Sequence, residues 1–219
     1  MINKIASYGC SFIYGDGVEK HEAFPEQLGE LLQVPVRNRG VNGSSNKLSL
    51  TYLIDDISKQ DYSNTLVVFG WTGIQRTHVW NDMDNYWIPI LPAWLPDDIN
   101  QRELVKFYYG NMYTDFDAFL TFYQQQLLAQ SLLKQYNIPY VFVNAFREEY
   151  IFYHDKNLQR IIDMIDKTKF LFGYEQSIRK VVCAEKNMIC SDGWHPSTEG
   201  HKLVAEECLD FLKKNEILN

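Results

Sequence analysis

Short apolar runs alternate with stretches of helical period along most of this chain, and that alternation restricts the fold more than any other feature. Residues 4–8 read as a strand ending at Gly9, and 24–32 carry Phe24, Leu28, Leu31 and Leu32 at helical spacing. Residues 34–36 read as a second strand running into Asn38, Arg39, Gly40, Val41, Asn42 and Gly43, after which Ser44 or Ser45 can cap a helix to about residue 58. The continuous apolar run at 65–69 is of the kind buried on both faces of a sheet. A helix over 117–136, with Phe119, Leu120, Tyr123, Leu127, Leu128 and Leu132 as its stripe, leads into a strand over 139–143. A helix over 175–186 leads into a fifth strand at 188–190, and a last helix runs from Ser197 or Thr198 to about 214 with Val204, Cys208, Phe211 and Leu212 inward. Parallel neighbours need a crossover, normally a helix, so the pattern predicts an α/β protein with a five-stranded parallel sheet covered on both sides.

At 219 residues with 46% hydrophobic content the chain suits one domain spanning 1–219. Its net charge of −7, with basic residues scattered, argues against a nucleic-acid partner. The N-terminus lacks the apolar core of a signal peptide, and no stretch of membrane-spanning length is free of charge and proline, so a cytoplasmic protein with no membrane span is expected. Cys10, Cys183, Cys190 and Cys208 form no Cys-x-x-Cys pair and are too sparse for a disulfide framework, which favours a reducing compartment. His21, His78, His154 and His201 show no metal-ligand spacing, and His201 is expected at the surface or as a capping residue. No metal site is expected.

Residues 76–112 break the alternation with Trp80, Trp87, Trp94, Pro89, Pro92 and Pro96, and show no sustained helix or strand period. They read as an insertion over one end of the sheet whose tryptophans project from loop. Their aromatics either complete the core or form a lid facing a substrate. Residues 147–173 read as more helical, with Leu158, Ile161, Ile162 and Ile165 as an apolar stripe.

In a parallel sheet the strand ends that lead into helices share one edge, where ligands bind. Ser11, Gly43, residues 70–73 and residues 192–195 all follow expected strands in that sense. A serine hydroxyl becomes a nucleophile when an imidazole takes its proton and a carboxylate orients that imidazole, and Ser11, His195 and Asp192 supply the three types. Pro196 keeps His195 extended ahead of the last helix. Amides such as those of Ser11 and Gly43 could hold an oxyanion. The α/β-hydrolase pattern Gly-x-Ser-x-Gly does not apply, because position 13 is Ile and the serine follows the first strand.

These residues resemble the SGNH or GDSL hydrolases. Gly9 to Asp16 are similar to that family's first block, Asn38 to Ser44 to its second with Gly43 as the oxyanion glycine, Phe69 to Gly73 to its third, and Asp192 to Pro196 to its last. The resemblance implies a flavodoxin-like three-layer α/β/α fold and hydrolysis of an ester, thioester or O-acetyl group without metal or organic cofactor. It also implies an oxyanion asparagine at the position where Thr72 stands, and a hydroxyl reaches less far than a carboxamide. The Gly9-Cys10-Ser11-Phe12 and Gly70-Trp71-Thr72 variants are similar to those of SGNH-type proteins of tailed bacteriophages, which makes virion association one expectation. The leading expectation is a serine esterase acting through an acyl-enzyme on a carbohydrate or small-molecule ester, with Trp71, Trp80, Trp87 and Trp94 as candidate stacking residues. The alternatives are an inactive binding or virion-associated protein with the same fold, and an acyltransferase.

Overall fold

The computed structural model describes residues 2–92, 94–146 and 155–218. Its main sheet has four parallel strands in the order β2-β1-β3-β6: β1 (Lys4–Gly9), β2 (Val36–Gly40), β3 (Thr65–Trp71) and β6 (Tyr140–Asn144). Side chains alternate between the two faces of a strand. Ala6, Tyr8, Val67, Phe69, Trp71, Tyr140 and Phe142 therefore share one core with α3 (Asn46–Lys59), α5 (Asp115–Gln135) and α6 (Lys156–Ile162). Ile5, Leu66, Val68, Val141 and Val143 face the other way, onto α2 (Phe24–Leu32) and α7 (Thr198–Lys214). Helices thus cover both faces, and Ser45 and Ser197 cap α3 and α7 by accepting the Leu48 and Gly200 amides.

The sheet departs from expectation at both edges. β2 lies two residues later than its apolar run because its polar residues are tied down: Arg37 and Arg39 reach Asp56 of α3 at 2.9 and 3.3 Å, and Asn38 donates to the Ile13 carbonyl at 2.8 Å. At the opposite edge the expected fifth strand at 188–190 does not form. Ile189 makes one antiparallel bridge to Pro196 within its own loop, while Phe170 bridges Phe142 and Leu171 donates to the Phe142 carbonyl, occupying the place beside β6. The covering segment is anchored by α5. Gln130 accepts from the Asp166 amide at 2.7 Å and Gln126 accepts from the Tyr174 hydroxyl at 3.2 Å, so both glutamines point inward and the expected stripe residue Leu128 is 50% exposed.

The insertion is more regular than its composition suggests. β4 (Thr77–Asn81) and β5 (Tyr86–Ile90) pair antiparallel with Trp80 opposite Trp87, followed by α4 (Ile99–Phe107), capped by Asp98 and continued by a π-helical turn over Tyr108–Met112. Two of the three tryptophans thus project from strands rather than loop. Pro89 is accommodated because a two-stranded ribbon consists of edge strands. Of the 147–173 stretch, α6 buries Leu158 and Ile162, and Ile165 follows them inward; residues 147–154, including His154, lie outside the described residues.

Among the described residues two histidines are buried. His201 is 0% exposed rather than at the surface, its Nδ1 accepting the Phe24 amide at 3.2 Å, and His78 is 4% exposed. Desolvation lowers both to about 4, helped at His201 by the charge of His195 and at His78 by Lys47 and Arg76. Both are neutral in the fold while the unfolded chain takes up protons from about pH 6.5 downward. Stability should therefore decline as pH falls from 6.5 toward 4 and lose nothing further through these groups below that. Unfolding free energies from urea titrations at pH 7 and pH 4.5 should differ by up to about 2–3 kcal/mol per histidine. The difference should shrink in a His78→Gln/His201→Gln variant, and an unchanged difference would assign the acid sensitivity to other groups.

Candidate active site

β1 ends at Gly9 and the chain turns at once into the one-turn helix α1 (Ser11–Tyr14), seated on the end of the sheet. Glycine at two neighbouring strand ends permits this approach: a Cβ on Gly40 would run into the Tyr14 backbone, and one on Gly70 would come within 2.5 Å of Ile13. Ser11 is consequently held at the head of the sheet, 5% exposed.

His195 arrives on the loop between Ile189 and α7. Its carbonyl accepts the Cys190 amide at 2.8 Å, and Asp192 Oδ1 accepts the amides of Trp194 and His195 at 2.8 and 3.0 Å, closing the loop on its own carboxylate. Asp192 Oδ2 lies 2.6 Å from His195 Nδ1, and His195 Nε2 lies 2.9 Å from Ser11 Oγ. Burial acts to raise the Asp192 pKa, but the bonds from the imidazole and the two amides outweigh it and hold the carboxyl at about 2. With Asp192 ionised, Nδ1 carries the ring proton and Nε2 is left to accept from the Ser11 hydroxyl. The Phe12 ring packs 5.2 Å from the imidazole, and Asp16 Oδ2 stands 3.9 Å from Nε2. Ser11, His195 and Asp192, expected from the sequence to share one edge of the sheet, thus stand in one hydrogen-bonded series.

The other two loops at this edge are braced by the insertion. Gly43 adopts φ +71 in the loop before α3, and Leu91, just past β5, would stand 3.1 Å from a Cβ there. His78 of β4 bonds Ser45 Oγ at 2.9 Å, and Asn46 exchanges two hydrogen bonds with the Thr72 backbone, at 2.8 and 3.0 Å. Among the described residues the Ser11 and Gly43 amides donate to no protein group. The Thr72 hydroxyl is also buried without a partner, while its amide is taken by Asn46.

The aromatic candidates fare differently. Trp71 is 0% exposed, packed among Phe69, Phe142 and Phe122 in the core beneath α5, so its ring offers no surface to a substrate; the strand's alternation turns it inward. Trp80 and Trp87 pack on each other at 5.3 Å, with Lys47 over Trp87, and Trp94 is half-buried beyond the hairpin. The rings connected to His195 are others: Phe12 meets Phe146 at 5.8 Å, and Phe146 meets Trp194 at 6.0 Å. Arg76 lies over Phe146 and Arg179 over Trp194, each 4.7 Å from the ring centroid. Phe12 and Asp16 stand within the first motif and could have been singled out from it; Arg76, Phe146 and Arg179 reach the site only through tertiary structure. Among the described residues no three His, Cys, Asp or Glu side chains gather as metal ligands, and no helix is long and apolar enough to cross a membrane.

None of the curated proteins compared matches the sequence. Solved structures do match in fold. The psychrotrophic esterase EstA from Pseudoalteromonas sp. superposes with TM-score 0.57 at 12% identity, covering 97% of each chain. A member of the lipolytic protein G-D-S-L family from Veillonella parvula gives 0.53 at 11%, covering 96% of this chain and 98% of that one. A family 3 carbohydrate esterase from Clostridium thermocellum gives 0.52 at 11%, covering 98% and 96%. The chain therefore has the α/β fold of the SGNH and GDSL hydrolases, built on four parallel strands. The family model that matches its sequence covers residues 17–218, which takes in Gly43, Thr72, Asp192 and His195 and begins beyond Ser11, and by that match the chain belongs to the family of unknown function DUF6071.

Proposed function

We propose that this protein is a serine hydrolase of ester bonds, acting through an acyl-enzyme on Ser11. The observation that carries the reading is the unbroken series Ser11 Oγ, His195 Nε2, His195 Nδ1 and Asp192 Oδ2, with separations of 2.9 and 2.6 Å at its two hydrogen bonds. In this reading Ser11 Oγ attacks the ester carbon as His195 Nε2 takes its proton, and Asp192 holds the imidazole in register and stabilises its positive charge. The tetrahedral oxygen is received by the undonated amides of Ser11 and Gly43. Collapse passes the proton from His195 to the leaving alcohol, and water then repeats the sequence to release the acid. No metal or organic cofactor enters these steps. The fold it shares with an esterase and a carbohydrate esterase supports an ester or O-acetyl substrate of a small molecule or sugar, and exposed Trp80 on the hairpin suits stacking on either. A fluorophosphonate probe should label Ser11 in the parent protein and fail to label the Ser11→Ala and His195→Ala variants. A folded parent that resists the probe would leave a binding protein with an inert serine as the better account.

Thr72 is assigned as the third oxyanion donor. Its hydroxyl has no other partner, and the Asn46 bonds fix its backbone beside the Gly43 loop. Thr72→Val should lower kcat by about ten- to a hundredfold with KM little changed, because the bond forms to the transition-state oxyanion. The thermal midpoint should barely move, since no hydrogen bond within the fold is lost. Unaltered kcat would place the third donor elsewhere.

A further inference from the structure

We propose that the ester this site takes carries a carboxylate, held by Arg76 and Arg179 on the ring-lined side of His195; the proposal rests on the esterase reading above. The two guanidiniums come from distant parts of the chain and lie over neighbouring rings, Phe146 and Trp194, whose centroids are 6.0 Å apart. Arg76 follows the turn in which its amide bonds the Gly73 carbonyl, directly after Thr72, and its guanidinium lies over Phe146. Arg179 bonds the Ala145 carbonyl through its amide, just before Phe146, and reaches the Gly193 carbonyl through Nη2 at 3.4 Å, within the loop that carries Asp192 and His195. Their platforms, Phe146 and Trp194, touch each other and lead through Phe12 to the imidazole.

Both arginines are half-buried, and among the described residues neither is ion-paired, whereas Arg37 and Arg39 of the same chain share Asp56. Arg76 Nη1 is moreover shielded from solvent and donates to no protein group. A guanidinium does not deprotonate, so a sheltered and unpaired N–H is a standing cost that a bound acceptor removes. The planar fork of a guanidinium matches a carboxylate better than a neutral carbonyl or hydroxyl. In a chain of net charge −7, two cations without a carboxylate partner among the described residues, Arg76 on the loop that carries Thr72 and Arg179 bonded to the loop that carries Asp192 and His195, select for the opposite charge in the substrate.

The test uses esters matched except for that charge. On the acyl side, para-nitrophenyl hemisuccinate is compared with para-nitrophenyl butyrate; on the alcohol side, para-acetoxybenzoate with para-acetoxybenzamide. In one of the pairs the anion should be preferred by about tenfold or more in kcat/KM, and the side on which this occurs identifies which half of the substrate bears the carboxylate. Arg76→Gln and Arg179→Gln should each remove most of that preference, raising KM for the anionic ester far more than for its neutral counterpart, while Arg76→Lys retains part of it. Equal or better use of the neutral member in both pairs, or variants that slow both members alike, would overturn the proposal. Hydrolysis of the neutral esters, absent in Ser11→Ala, tests the esterase reading separately. If no ester is turned over, calorimetric titration with para-acetamidobenzoate and para-acetamidobenzamide still decides: the carboxylate alone should bind, and Arg76→Gln should weaken it about tenfold. Failure of both this benzoate and succinanilate, the acyl-side analogue, to bind the parent protein would refute the anion site.

Discussion

Ser11→Ala is expected to lower kcat/KM for a short para-nitrophenyl ester by about ten-thousandfold or more, because in the proposed mechanism loss of the nucleophile disables the imidazole and carboxylate together. Residual turnover would come from the amides and from binding, which do not depend on the hydroxyl. The fold should not suffer. Ser11 Oγ makes one hydrogen bond, to His195, and the position opens a one-turn helix whose attachment to the sheet is made by Phe12 and Ile13. Removing that bond should cost no more than about 1 kcal/mol. The measurement pairs steady-state kinetics with a thermal melt on the same preparation, so that lost activity is not mistaken for lost structure. A variant retaining a tenth or more of the parent rate would remove Ser11 from the chemistry and return Asp192 and His195 to the role of a polar loop.

The features legible in the sequence were those fixed within a few residues. Ser45 and Ser197 announce their helices because a cap is a local bond to an amide three residues on. Asp192 and His195 were legible as a pair for the same reason, and strand–helix alternation implied that a serine after β1 would stand at the same edge. What failed depended on partners far along the chain. The run at 188–190 has strand-like composition, yet the place beside β6 is taken by residues 170–171, held there by glutamines of α5. His201 looks like a polar residue of an exposed helix turn, but that turn packs on the start of α2, where the Phe24 amide needs an acceptor. The hairpin of the insertion was hidden by its brevity and by Pro89, and Arg76 meets Phe146, seventy residues further along the chain, in a way no spacing rule encodes.

Trp71 offers the clearest contrast between what composition suggests and what burial dictates. Next to Thr72, and in an aromatic-rich chain, it invites a role in stacking on substrate; in the fold it is 0% exposed, 4.4 Å from Phe69, 5.3 Å from Phe142 and 5.8 Å from Phe122 by ring centroids. Its indole Nε1 is buried without a hydrogen-bond partner, so truncation forfeits packing alone and leaves no newly orphaned group. Trp71→Ala should therefore cost about 3–5 kcal/mol, the range for removing a large buried aromatic when the cavity cannot close. Collapse is restricted here, because β3 is hydrogen-bonded to a strand on either side and every residue from Thr65 to Trp71 is buried. Trp71→Phe, which keeps a ring against Phe142, should cost substantially less. The protein that remains folded in cold buffer should bind ester with an unchanged KM, since nothing facing the substrate has been removed. The opposite outcome, an unshifted denaturation midpoint with a raised KM, would mean that the indole swings out of the core to meet substrate, and would restore the stacking role that its burial denies.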